Sequence, residues 1–246
     1  MTTNGIATPI RIAVDTTQAV SALLLTPAKP RAAYVFAHGA GAGMAHVFMS
    51  AVALGLAERG IATLRYQFPY MERGAKRPDP PPLAHATVRA AVAQATQLLP
   101  GMALVAGGKS FGGRMTSQAQ AAAALPGVRG IAFLGFPLHP AGKPGSERGA
   151  HLFQVNLPML FLQGTRDELA DLGLLESLTR QLGRRATLRL FEDADHSFHV
   201  PARSGRKDAD VLADLLDALA HWADAVCQDG TGPAVVRCFS RIIFLA

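Results

Sequence analysis

Residues 107–113 read Gly107-Gly108-Lys109-Ser110-Phe111-Gly112-Gly113, directly after the apolar run Met102-Ala103-Leu104-Val105-Ala106 and before an Ala-rich segment. Gly108, Ser110 and Gly112 satisfy the pattern G-x-S-x-G. Between a strand and a helix, that pattern forms a sharp turn exposing the serine hydroxyl. Glycines on either side have a mechanical role, because residues without side chains let the helix approach the strand closely. The competing readings are an ordinary strand-to-helix turn and a phosphate-binding loop. The stretch contains neither G-x-x-x-x-G-K-[ST] nor G-x-G-x-x-G, which argues against the phosphate loop.

Outward from this turn, short runs rich in Val, Ile, Leu and Phe alternate with segments of helical period, the pattern of a mostly parallel sheet covered on both faces. Eight strands are expected, at 10–14, 20–25, 32–37, 61–66, 102–106, 130–135, 159–163 and 187–191, the first two as an antiparallel pair. Helices are expected at 47–59, 84–98, 111–124, 168–182 and 207–226. The connection 137–158 has room for a short helix at most, so no cap domain is expected over the site. The stretch 67–83, with five of the sixteen prolines, reads as a long loop. Residues 1–227 form one domain on this reading, and 228–246, after Gly-Thr-Gly-Pro, form a tail of unassigned structure.

With 246 residues and 49% hydrophobic content, the chain can bury one sizeable core. No segment reaches the roughly 18 uninterrupted apolar residues of a membrane span, and the N-terminus lacks a signal-peptide pattern. A cytoplasmic protein is expected. Its two cysteines, Cys227 and Cys238, make neither a disulfide framework nor a zinc spacing. The net charge of +6 is scattered rather than gathered into a stripe with aromatics, so nucleic acid is not an expected partner. Neither a cofactor nor a metal is expected.

A serine hydroxyl needs a base to take its proton and an acid to orient that base. In an open parallel sheet these converge at the carboxyl ends of the strands. With a serine in such a turn, the expected chain order is Ser, Asp or Glu, then His, and Ser110, Asp167 and His196 satisfy it. His199 is the near rival to His196. Asp193 and Asp195 lie too close to the histidine in sequence to reach its far side, and Glu168 is the fallback for Asp167. For the oxyanion, the backbone amides of Phe111 and of Ala40 in the loop 38–43 are the candidate donors. Substrate contacts are expected from His38, Gly39, Gly41 and Lys109. Arg73, Lys76, Arg77 and Lys143 also lie at this sheet edge, where they would select a carboxylate or be merely solvated.

The blocks HGAGAG, GGKSFGGRM, GFPLHPAGKP, QGTRDELA and ADHSFHVP, in this order and spacing, resemble the compact, lidless α/β-hydrolases related to dienelactone hydrolase. The similarity is greatest to bacterial relatives of the testis-expressed and chromatin-complex hydrolase-like proteins, and covers about residues 20–226. It implies Ser110 as nucleophile, Asp167 as acid and His196 as base. Lys109 belongs to the same pattern; it would either favour an anionic acyl group or cover the elbow helix. Dienelactone hydrolase itself uses a cysteine nucleophile, so serine here departs from it. The expected function is hydrolysis of a small-molecule ester or thioester. The alternatives are a catalytically weak hydrolase-like scaffold or binding protein, and a binder of anionic surfaces.

Overall fold

The computed structural model describes residues 6–228, so the expectation for the tail falls outside the described residues except for Gln228. The strands are β1 (Thr8–Ala13), β2 (Ala19–Leu25), β3 (Ala32–Ala37), β4 (Ile61–Tyr66), β5 (Leu104–Lys109), β6 (Val128–Leu134), β7 (Met159–Gly164) and β8 (Ala186–Phe191). They form one sheet in the order β1-β2-β4-β3-β5-β6-β7-β8. β1–β2 and β2–β4 are antiparallel and every later pair is parallel.

Continuous apolar strands are covered on both faces, and β3 shows how. Ala33, Val35 and Ala37 pack into the core beneath α3 (Pro81–Leu98), α4 (Phe111–Ala122) and α5 (Leu172–Leu182), while Tyr34 and Phe36 point to the other side. There they meet Met49, Val52 and Leu56 of α1 (Val47–Glu58) and Leu215 and Leu219 of α6 (Asp208–Gln228). Alternation along the strand therefore fills two cores at once. From β3 the chain crosses to β4 on one side, then returns past β3 to β5 on the other. The strand order thus reverses between β3 and β5, and a crevice opens at their carboxyl ends.

Three expectations need correction. β5 continues through Gly107, Gly108 and Lys109, which pair with β6, rather than ending at Ala106. The stretch 67–83 is not all loop. It contains the single turn α2 (Pro69–Glu72), and α3 starts at Pro81 because prolines are accommodated in a first helical turn, where the missing N–H has no partner to lose. α5 starts at Leu172, not 168, where the Asp171 carboxylate caps the Leu174 amide at 2.9 Å. Between β6 and β7 there is one 3₁₀ helix, Glu147–Gln154, as the short connection required. Among the described residues no helix is long and apolar enough to cross a membrane.

Candidate active site

Ser110 lies between β5 and α4 with φ 50° and ψ −116°, a left-handed conformation rare for a residue with a Cβ. Such backbone strain costs on the order of 1–3 kcal/mol and persists only where the surroundings impose it. Here the Ser110 amide donates to the Leu134 carbonyl at 3.2 Å, and its own carbonyl accepts from the Arg114 amide at 3.1 Å. Gly112 is packed so tightly that an added Cβ would lie 2.5 Å from the His38 carbonyl oxygen. The elbow is therefore clamped between β3 and β6.

His196 follows β8 and Asp167 follows β7, and the two meet: Nδ1 of His196 is 2.6 Å from Oδ2 of Asp167. The Asp167 carboxylate is buried and also accepts from the Gln163 side-chain amide and from the Leu169 amide at 2.8 Å. An acceptor-only carboxylate at Nδ1 places the imidazole proton there and leaves Nε2 unprotonated, the form a base requires. The rival residues have other partners or face solvent. His199 is exposed and pairs with Asp208 at 2.9 Å, Asp195 accepts from the Ser197 and His199 amides within its own turn, and Glu168 is exposed. Gln163, a lone amide ending the apolar run Met159-Leu160-Phe161-Leu162, is a site residue that the sequence reading passed over. Its signal was that polarity, since a buried amide needs partners. Here its oxygen accepts from Phe136 N at 2.8 Å while its nitrogen holds Asp167.

Ser110 and His196 line one cavity of about 370 Å³ with Gly39, Ala40, Phe48 and Met49. Their side chains are not hydrogen-bonded to each other in this resting geometry, in which such contacts are commonly loose. Ala40 lines the cavity. Its amide and that of Phe111 have no protein acceptor among the described residues. The loop carrying Ala40 is held from the side: Gly41 N donates to the Tyr70 hydroxyl at 3.3 Å and Met44 N to the Gln67 side chain at 2.9 Å. Tyr70 N in turn donates to Asp79, which also binds Arg73, so Arg73 is engaged in a structural pair. The proline-rich stretch is thus the scaffold of the glycine-rich loop.

His38 does not contact the cavity, contrary to expectation. It is fully buried; its Nδ1 donates to Gly39 O at 2.8 Å and its Nε2 accepts from Phe68 N at 3.0 Å, so both nitrogens brace the loop. Gly41 likewise serves the bond to Tyr70, while Gly39 remains against the site. Burial pushes His38 down to about 4, and burial together with Arg114 pushes His151 down to about 4. Both are neutral when folded, whereas the unfolded chain protonates them near 6.5. The unfolded state therefore binds more protons between pH 6.5 and 4, and the stability these groups supply above pH 6.5 is lost as pH falls to 4. Urea midpoints are expected to drop between pH 7 and pH 5, with a shallower drop in His151→Gln. An identical slope in that variant would contradict the neutral-histidine assignment.

A sequence profile of the alpha/beta hydrolase domain matches residues 30–224. Among solved structures, the dienelactone hydrolase of Anabaena variabilis superposes with a TM-score of 0.70 at 20% identity, covering 89% of this chain and 96% of that one. A serine hydrolase without a lid from Xanthomonas campestris gives 0.69 at 22%, covering 88% and 95%. The esterase domain of a Rhodothermus marinus protein gives 0.69 at 17%, covering 89% and 98%. At these identities the structures speak to the fold, while the profile extends over most of the sequence from the first inner strand to the last helix: the chain belongs to the alpha/beta hydrolase family and has its compact, lidless form.

Proposed function

We propose that the protein is a serine hydrolase acting on small carboxylic esters or thioesters through an acyl-enzyme on Ser110. The observation that carries this is the Asp167–His196 pair opening onto the same cavity as a serine held at φ 50°. In the first half-reaction Ser110 Oγ attacks the substrate carbonyl carbon as its proton passes to His196 Nε2. The resulting oxyanion is met by the amides of Ala40 and Phe111, the latter at the positive end of α4. Collapse breaks the bond to the alcohol or thiol, which leaves with the proton from His196. Water then adds to the acyl-enzyme with His196 again as base, and the carboxylic acid departs as Ser110 regains its proton. A cavity of about 370 Å³, walled by Phe48, Met49 and Leu169, favours a short or solvent-exposed acyl chain.

p-Nitrophenyl acetate mixed rapidly with the protein is expected to release a burst of about one equivalent of p-nitrophenol before a slower steady state. Asp167→Asn should leave the fold intact and lower kcat by about 10⁴-fold, because an amide at Nδ1 stabilises the wrong tautomer. A hydrolase-like binding protein would give no burst, and an unaltered rate in Asp167→Asn would exclude the triad.

A further inference from the structure

Lys109 is the last residue of β5, opposite Leu134 of β6. Its stem runs beside the glycine-rich loop, where a Cβ added at Gly39 would lie 3.4 Å from Lys109 Cγ. Lys109 lines the cavity together with Ser110 and His196, but its ammonium is engaged within the fold. It passes under Gly135 to the turn carrying His196, where Nζ donates to the His196 carbonyl oxygen. It also lies 5.4 Å from the centre of the Phe198 ring. Gly135 makes the passage: a Cβ there would stand 3.0 Å from Lys109 Nζ and 3.3 Å from both Nδ1 and Cε1 of His196.

The rest of that turn is tied internally. Asp195 N donates to His199 O at 2.9 Å, Phe198 N to Asp195 O at 3.0 Å, and the Asp195 carboxylate takes the amides of Ser197 and His199. The turn is linked to the loop after β7 by Arg166 N to Ala194 O at 2.9 Å, by Asp193 N to Thr165 Oγ1 at 2.9 Å and by His196 Nδ1 to Asp167. These bonds define the shape of the turn but leave its tilt toward β5 to other contacts. On the Ser110 side, the bond from Lys109 to the catalytic histidine's own carbonyl joins the base to the strand that carries the nucleophile. Phe198, strained at φ 64°, presses its ring over the same ammonium and stacks on Phe48 at 6.0 Å.

Resting on the function proposed above, we propose that Lys109 is a positioning residue: by joining the end of β5 to the His196 carbonyl, it sets the distance between Ser110 Oγ and His196 Nε2. A base displaced by about 1 Å costs on the order of 10²-fold in rate without weakening substrate binding. This separates Lys109 from a substrate-binding cation, whose loss would act on KM.

The test uses the full-length protein and p-nitrophenyl acetate. Lys109→Met and the shorter polar Lys109→Gln are each expected to lose about 10²-fold in kcat with KM within about twofold of the unsubstituted protein. Lys109→Cys should behave likewise and recover most of its kcat after alkylation with 2-bromoethylamine, which rebuilds a lysine-length amine. The unsubstituted protein, treated identically, controls for Cys227 and Cys238. A loss confined to KM, an unchanged kcat, or a folded Lys109→Cys variant that alkylation does not recover would overturn the proposal. Should the unsubstituted protein not turn over esters at all, the functional reading fails while the tether is still read by NMR. The low-field proton of His196 Nδ1, shared with Asp167, is expected to be sharp in the unsubstituted protein and broadened in Lys109→Gln. An equally sharp signal in both would overturn the tether by itself.

Discussion

Replacing Ser110 by Gly is expected to abolish ester hydrolysis and, at the same time, to raise the unfolding free energy by about 1 kcal/mol or more. The two effects have one cause. Serine occupies φ 50°, ψ −116° because β3, β6 and α4 close around it, and that conformation is unfavourable for any residue with a Cβ. Glycine adopts it without strain, although glycine's greater freedom in the unfolded chain recovers part of the gain. Ser110→Ala retains the strain and should leave stability near that of the parent. Both variants lack the nucleophile, so kcat should fall by about 10⁴- to 10⁶-fold, leaving whatever residual catalysis the oxyanion donors provide. Chemical denaturation alongside p-nitrophenyl acetate hydrolysis checks both halves. An active Ser110→Ala would remove the nucleophile assignment, and a Ser110→Gly less stable than Ser110→Ala would remove the strain.

Gly107→Ala is expected to damage the fold itself. Gly107 has φ 152° and sits in β5 opposite Ala132 of β6. A Cβ added there would lie 1.9 Å from the Ala132 carbonyl oxygen, a backbone atom that cannot move without parting the two central strands. The cost should exceed about 3 kcal/mol, and for a domain of this size the melting temperature should fall by roughly 10 °C. Gly101→Ala is the control. Gly101 also has a positive φ, 75°, but nothing lies within 4 Å of its added Cβ, so only backbone strain of about 1 kcal/mol is introduced. Equal melting temperatures in the two variants would show that the β5–β6 contact is looser than described.

These glycines mark where the sequence was legible and where it was not. G-x-S-x-G is a local pattern, and the alternation of apolar runs with helical segments is nearly local, so the elbow and the layered sheet could both be read. The order Ser110, Asp167, His196 followed from the topology those runs imply, and the structure places the last two in contact. The run of β5 through Gly107 and Gly108 was hidden, because glycine has low intrinsic strand preference and is selected here by the closeness of β3 and β6. His38 was expected among the substrate contacts because it heads the loop delivered at the end of β3. Only its burial, and the Phe68 amide arriving from a stretch thirty residues on, show that its nitrogens are spent on the loop. The destination of Lys109 was equally out of reach. It depends on which turn lies above the end of β5 and on the missing Cβ of Gly135. The cavity-lining residues Phe48 and Met49 were hidden for the same reason, belonging to a helix whose rotation is set by the core.

The most direct measurement is labelling of the folded protein with a fluorophosphonate, followed by peptide mapping. One adduct is expected, on Ser110, absent in Ser110→Ala and formed far more slowly in His196→Ala. A folded protein that takes no label, or takes it on another residue, would contradict a triad of Ser110, His196 and Asp167.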